Sequence, residues 1–405
     1  MFVERLELVD FRSYVRARLD LGPGSHVVVG ANAQGKTNLL EALHYVAAGA
    51  SHRVSSDAPL VRSGAEAAVI RAAARTGTAH DSGRALSVEL QLSASGRARA
   101  RVNGQPLRRL RDAFGRVRVV LFAPEDVQLV VGTPADRRRF LDDLLAQRRP
   151  AYRTARQEYE RVLRQRNALL KALRARSAAT TERTLHTWTE ALVGVGATMV
   201  AARLAAVQAL AGSTGAAYAE LAAPDPGPGR TAQAPGPRPA QQVTLAYELS
   251  TGRSVAPSGD GELPTPGELA GELHAGLTRL AAAERERGLT LAGPHRDDLY
   301  LGIGALPAKG FASHGECWSL ALALRLAARE LLRVDGDEPV VMLDDVFSAL
   351  DVTRRARLAQ HCGSFEQVLV TAAVAEDVPL AGQRHVVSRG GVLSAATRRS
   401  GGAAG

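Results

Sequence analysis

Residues 27–40, VVVGANAQGKTNLL, decide how the rest of the chain is read. A run of valines leads into Gly30, Ala31, Asn32, Ala33, Gln34, Gly35, Lys36 and Thr37, which is the Gly-x-x-x-x-Gly-Lys-Thr spacing of a phosphate-binding loop. The β-branched run suits a strand buried in a parallel sheet. Asn38 and the apolar residues after it recur at helical spacing until Gly49. Strand, loop and helix in that order are what the loop needs. Its glycines let successive N–H groups turn inward at a helix N-terminus, where an anion is stabilised. Lys36 would supply a point charge to the β- and γ-phosphates of ATP, and Thr37 a hydroxyl to Mg²⁺. Residues 30 to 38 are therefore the expected nucleotide contacts.

Such a loop requires a carboxylate for its metal, and EPVVMLDDVFSALD offers one. Val340, Val341, Met342 and Leu343 form an apolar run, and Asp344 and Asp345 stand at its carboxyl end, where open α/β sheets bind ligands. Asp344 is assigned to Mg²⁺ and Asp345 to polarising the attacking water, with Lys36 as its catalytic companion. Upstream lies ASHGECWSLALALRLAARELLR. Ser313 and Glu316 have capping-box spacing, and Ser313 with Gly315 at a helix start forms a second candidate anion site.

Composition limits the alternatives. At 405 residues the chain has room for two or three domains, and 45% hydrophobic content indicates a soluble globular protein. MFVERLELVDFRSY has no charged-then-apolar leader, so the expectation is a cytoplasmic protein without a membrane partner. Residues 191–212 come nearest to a span, but Arg203 and Gln208 interrupt them and a buried or amphipathic helix fits better. Two cysteines, Cys317 and Cys362, are too few for a disulfide framework or a metal cluster. The net charge of +10 attracts phosphate backbones, although an arginine-rich composition produces the same charge without function. Only three lysines occur, Lys36, Lys171 and Lys309, so a retained lysine carries more weight than an arginine.

The expected fold is α/β, with an ATPase domain split by a helical insertion. Residues 1–132 read as strands around the loop, with a hairpin pair closing at Asn103-Gly104. Residues 133–265 read as long helices broken at Pro150, followed by two Pro/Gly-rich loops flanking the strand-like VTLAYELS. Residues 266–392 return to α/β, and 393–405 form a disordered tail. In GRARARVNG the alternation places Arg97, Arg99 and Arg101 on one strand face, suited to the backbone of duplex DNA. With aromatics at 4%, a stacking platform for single strands is disfavoured.

The loop, Ser-x-Gly, the strand ending in Asp-Asp and SALD, in that order, resemble the ABC-type ATPases. The wide gap after the first motif is similar to the subgroup containing SMC and Rad50. Within it LELVDFRSY, GANAQGKTNLLEAL, RVNG, FAPEDVQLVVGTPADRRRFLD, QRNALLK, GPHRDDL, SHGE and LDDVFSALD resemble the RecF family of bacterial recombinational repair proteins. That resemblance implies an ATP-dependent homodimer on double-stranded or gapped DNA. Ser313, Gly315, Glu316 and Asp351 of one copy would close over ATP held by the other. It also implies slow hydrolysis, RecO and RecR as partners, RecA loading at gaps and support of the SOS response. Two departures weaken hydrolysis further: Glu316 stands where glutamine is common, and Thr371-Ala-Ala replaces a histidine that senses the γ-phosphate. The loop FAPEDV has Glu125 and Asp126, with Gln128 a poor substitute for a metal-side glutamine. The rival readings are the ATPase subunit of a transporter and a small-molecule kinase. Both leave the insertion, or the Ser-x-Gly and SALD elements, without a task.

Overall fold

The computed structural model describes residues 1–54, 56–77, 83–175, 179–222, 242–257, 261–333, 337–388 and 391–394. They fall into two compact units. The first comprises Met1–Asp126, Glu220–Asp225 and Ala328–Gly405, the second Val127–Ala219 and Pro226–Ala327.

In chain order the first unit supplies β1 (Phe2–Phe11), β2 (Tyr14–Asp20), β3 (Gly24–Val29), α1 (Lys36–Ala48), β4 (Ala67–Thr76), β5 (Arg84–Ser93), β6 (Arg99–Val102), β7 (Gln105–Pro106) and β8 (Val119–Phe122). The second supplies a short turn α2 (Gln128–Val131), α3 (Pro134–Arg148), α4 (Pro150–Ala175), α5 (Ala179–Ala222, whose last residues return to the first unit), β9 (Val243–Glu248), β10 (Ser254–Val255), α6 (Pro266–Arg287), β11 (Asp298–Ile303), β12 (Leu306–Pro307), the short α7 (Ala308–Phe311) and most of α8 (His314–Leu332). The chain ends in the first unit with β13 (Val340–Asp344), α9 (Val352–Cys362), β14 (Gln367–Ala372), β15 (Gln383–Ser388) and β16 (Gly391–Ser394).

Two six-stranded sheets build the first unit. One is antiparallel, in the order β2-β1-β4-β5-β6-β7, and its strands alternate buried and exposed residues because only one face meets the core. The other runs β16-β15-β3-β14-β13-β8, with β15, β3, β14, β13 and β8 mutually parallel and β16 antiparallel to β15 at the edge. Every residue of β13 and β14 is buried, as a strand covered on both faces requires. Helix α1 joins the two sheets through one core, in which its Leu39, Leu40, Leu43 and Val46 meet Leu8 and Ile70 of one sheet and Val119, Met342 and Leu369 of the other. Gly49 stops the helix at φ 74°, as the sequence pattern requires.

Helices α3 to α6 and the sheet β10-β9-β11-β12 make the second unit. Pro150 separates α3 from α4, and VTLAYELS forms β9. The expected boundaries at 132 and 265 need correction: residues 127–132 and 266–327 belong with the helices. The cause is pairing across the Pro/Gly segments. Strand β11 pairs with β9 over six residues, Arg166 reaches Glu284 (2.6 Å), and Arg137 holds Asp298 through two bonds (2.8 and 2.7 Å). A helix long and apolar enough to cross a membrane, residues 182–222, is mostly a core helix here; its Arg203 is 2% exposed and ion-paired to Asp142. The tail also starts later than expected, since Leu393 and Ser394 belong to β16, while residues 395–405 lie outside the described residues. So does most of the first Pro/Gly segment, 223–241.

Candidate nucleotide-binding site

The first unit brings both halves of the expected phosphate site together. Strands β3 and β13 flank β14 in the parallel sheet, so the loop after β3 and the acids after β13 emerge on the same edge. In the loop Ala33 (φ 65°) and Gly35 (φ 107°) take left-handed angles, the alternation that makes a concave set of N–H groups ahead of α1. Gly35 has a second reason to be glycine: a Cβ there would lie 2.8 Å from Tyr14 Oη, whose hydroxyl donates to the Gly35 carbonyl at 3.0 Å.

Lys36 Nζ donates to the carbonyls of Gly30 (2.7 Å) and Ala31 (3.0 Å). Burial lowers its pKa, against the opposing charges of Asp345 and Asp344. Thr37 Oγ1 donates to Asp344 Oδ1 at 3.0 Å. Asp344 is 5% exposed, and burial pushes its carboxyl up from the ordinary value; the bonds from Thr371 and Thr37 oppose that shift, while Glu125 and Asp345 add to it. Asp345 follows at φ 53°, a left-handed angle uncommon for a residue with a side chain.

Asn38 turns away from the loop: its Nδ2 donates to Ser13 Oγ (3.0 Å), and Arg53 donates to its Oδ1 (3.1 Å). Ala31, Asn32 and Ala33 form the exposed rim of the loop. Behind it Glu41, fully buried, accepts from Arg12 (2.9 and 2.6 Å) and Ser51 (2.5 Å). Burial alone would raise the Glu41 carboxyl, but these bonds hold it below its ordinary value. The sequence pattern gave no sign of this brace. A glutamate two turns into an amphipathic helix reads as solvent-facing, and its partners are distant in the chain.

Asp351 caps α9, accepting from Arg354 N at 2.8 Å and pairing with the Arg354 side chain. The bond from the Arg354 amide is the leading cause of its lowered pKa. In the second unit Ser313 and Glu316 form the expected capping box: Glu316 Oε2 accepts from Ser313 N (2.8 Å) and Ser313 Oγ (2.7 Å), and Ser313 Oγ accepts from Glu316 N (3.3 Å). Glu316 thus occupies the donors of Ser313. Gln128 also lies in the second unit, whereas Asp126 of the first fixes its own turn by accepting from Ala123 N (3.0 Å).

The arginine triplet divides. Arg97 precedes β6 instead of lying on it. Arg97 and Arg99 line a groove of ≈ 480 Å³ with Arg108, Arg109 and Arg111, and no carboxylate shares that lining. Arg101 opens onto a different hollow with Arg71, Glu7 and Glu89, and sits opposite Glu89 in the β5–β6 register. Two acids share that hollow with Arg5, Arg71 and Arg101, and Glu89 is ion-paired to Arg71 (2.5 Å), whereas arginines alone supply the charge of the groove lining.

The GPHRDD motif is a fastening of the second unit. Gly293 (φ 127°) lets Tyr159 approach, since a Cβ there would lie 2.5 Å from its hydroxyl. Pro294 O accepts from Arg203 (2.6 Å), His295 Nδ1 meets Tyr159 Oη (2.7 Å), Asp297 accepts from Ser250 N (2.8 Å) and Tyr247 Oη (3.0 Å), and Asp298 takes Arg137.

Residues 2–388 match the family model of the RecF/RecN/SMC N terminal domain. The chain is similar to the DNA replication and repair protein RecF of Cutibacterium acnes, 48% identical over 97% of this chain and 98% of that one. It is also similar to the protein of that name in Streptomyces avermitilis, 49% identical over 97% and 99%. Among solved structures it resembles the ATP complex of the recombination mediator protein RecF of the RecFOR pathway, with TM-score 0.84, 25% identity and 98% of both chains covered. A Pyrococcus furiosus Smc head domain, at TM-score 0.52 and 16% identity over 97% and 96%, shares the fold.

Proposed function

The chain belongs to the RecF family, and on that premise we propose that it is an ATP-dependent DNA-binding protein of recombinational repair and replication-gap rescue. One observation carries the reading: Thr37 and Asp344, 307 positions apart, meet at 3.0 Å beside a loop built to hold phosphate. ATP is the ligand that suits it. The inward N–H groups and Lys36 take the phosphates, Lys36 exchanging two neutral carbonyls for charged oxygens, which make stronger bonds. Thr37 and Asp344 are both hard oxygen donors and fit Mg²⁺, which commonly keeps one or two protein ligands beside phosphate and water. Bound there, the ion would neutralise phosphate charge. Asp345 orients the attacking water.

Turnover is slow in this reading, because Thr371, Ala372 and Ala373 bring no imidazole to the γ-phosphate. Hydrolysis then resets a switch. Two copies associate around ATP, with Ser313, Gly315 and Glu316 of one, and Asp351, closing on the nucleotide of the other. Exposed apolar side chains next to these motifs, Phe311 (65%) and Val352 (81%), favour a surface that association covers. The arginine groove supplies backbone contacts to duplex or gapped DNA, with Arg97 and Arg99 contributing directly and Arg101 least. RecO- and RecR-type partners, promotion of RecA loading, support of the SOS response and a cytoplasmic location follow from family membership.

Fluorescence anisotropy of labelled duplex DNA, with and without ATP and at several salt concentrations, tests this. ATP should tighten binding, and Lys36→Ala should lose that gain alone. Replacing Arg108 and Arg109 by alanine should lower the log–log salt slope by about one per lost phosphate contact, whereas Arg101→Ala should leave it near the wild-type value. Binding indifferent to ATP in both proteins would sink the proposal and reopen the transporter and kinase readings.

A further inference from the structure

We propose that Thr371 is the positioning residue of the catalytic centre, a single hydroxyl that sets both acids after β13. The inference rests on the reading of Asp344 and Asp345 just given, and goes beyond it. Strands β13 and β14 are parallel with Asp344 and Thr371 in register, so their side chains leave the sheet on the same face. Thr371 is 1% exposed. Its Oγ1 donates to Asp344 Oδ1 at 2.6 Å and accepts from the Asp345 amide at 3.0 Å; the Thr371 carbonyl lies 3.2 Å from the same amide. One hydroxyl thus uses its donor on the first acid and an acceptor site on the second.

Each bond has a task. Thr37 and Thr371 converge on Oδ1 of Asp344, which fixes the carboxylate plane and turns Oδ2 away from both hydroxyls. A carboxylate oriented this way is pre-formed for a cation, and such supporting partners set metal affinity as much as the ligands do. The Asp345 amide lies in a left-handed residue (φ 53°, ψ 25°), a conformation that a residue with a side chain keeps only where surrounding bonds over-determine it. The bond from Thr371 is one of them, and it aims the Asp345 side chain. Valine is nearly isosteric with threonine and keeps its β-branching, so Thr371→Val removes the hydroxyl from the buried strand without emptying the space.

The test compares wild type, Thr371→Ser and Thr371→Val in two readouts: affinity for a fluorescent ATP analogue in EDTA against Mg²⁺, and ATP hydrolysis. Thr371→Val should keep metal-free affinity within about twofold while its Mg²⁺-dependent gain and its turnover each fall about 10-fold or more; Thr371→Ser should restore both to within about threefold. If Thr371→Val fails to fold, Thr371→Ala carries the same expectation. A valine variant with the wild-type Mg²⁺ gain overturns the inference, as does a serine variant as impaired as valine. A wild type that shows no Mg²⁺ gain at all strikes instead at the phosphate-site reading.

Discussion

Each unit buries a cluster of charge, and the two clusters are built on opposite principles. In the second unit Arg203, 2% exposed, donates to Asp142 (3.0 Å), Tyr152 (3.1 Å), Tyr247 (2.9 Å) and Pro294 O (2.6 Å), while Tyr152 bonds Asp142 (2.5 Å) and Tyr247 bonds Asp297 (3.0 Å). Protein groups answer protein groups, and each polar atom gains rigidity from the next. In the first unit Lys36 makes do with two carbonyls of its own loop, Asp344 is pushed toward protonation by burial, and Asp345 sits in a left-handed conformation. In the proposed function that cluster exchanges these bonds for a ligand. Perturbed buried charge alone does not mark function; buried charge whose best partners are missing from the fold does.

The largest effect should separate the two clusters by stability. Arg203→Met leaves Asp142 buried beside a lost partner, and removing one member of a buried pair costs about 3–5 kcal/mol. The melting temperature should drop sharply. Asp344→Asn removes a carboxyl that burial already disfavours, so it should melt at or above the wild-type temperature while abolishing Mg²⁺-dependent hydrolysis. Calorimetry of both variants checks this, and equal destabilisation by the two would erase the distinction.

Legibility followed the same divide. The phosphate loop, Asp344 and the Ser313–Glu316 capping box were readable because their chemistry needs fixed local spacing: a turn, a strand end, a helix start. The Arg203 network was invisible, since Asp142, Tyr152, Tyr247 and the pair Pro294 and Asp297 come from four separate places in the chain, and GPHRDD, the one motif among them, does not say which arginine it receives. The boundary at 265 failed for a related reason. Composition changes at the Pro/Gly segments, but β9 pairs with β11 across them, and strand pairing ignores composition. The arginine triplet misled because alternation fixes a face and says nothing of what surrounds it; Glu89 opposite Arg101 is a register fact.

Saturated clusters should also betray themselves through pH, and the first unit contains one. His26 Nδ1 and His385 Nε2 lie 3.1 Å apart, 2% and 0% exposed. Burial pushes both rings down, His385 to about 4, and it pushes His295 of the second unit to about 4. The folded values lie below the unfolded value of about 6.5, so the native state binds fewer protons. Their contribution is complete above pH about 6.5 and is lost as pH falls toward the folded values near 4. Ordinary carboxylates titrate lower, and the carboxyls that burial raises, Asp344, Asp297 and Asp143, gain stability as pH falls, so a drop in melting temperature between pH 7 and 5 should come from these rings. A flat profile would mean that the His26–His385 pair tolerates a proton and is not saturated.

The smallest effect tests whether the capping box at α8 belongs with the exchangeable sites. Glu316 Oε2 holds both the amide and the hydroxyl of Ser313, the donors that a phosphate from a second copy would need. An anion approaching there must displace a like charge. Glu316→Gln keeps an oxygen that can accept from Ser313 but removes the charge, forfeiting about 0.3–1 kcal/mol of interaction with the helix N-terminus. The variant should therefore melt slightly lower, while ATP-dependent association, followed by sedimentation velocity, tightens about two- to fivefold, the same energy no longer opposing the phosphate. Unchanged association in the glutamine variant would place Glu316 among the saturated groups, with Ser313 serving its own helix and no neighbouring nucleotide, and weaker association would mean that the Glu316 charge itself supports the contact.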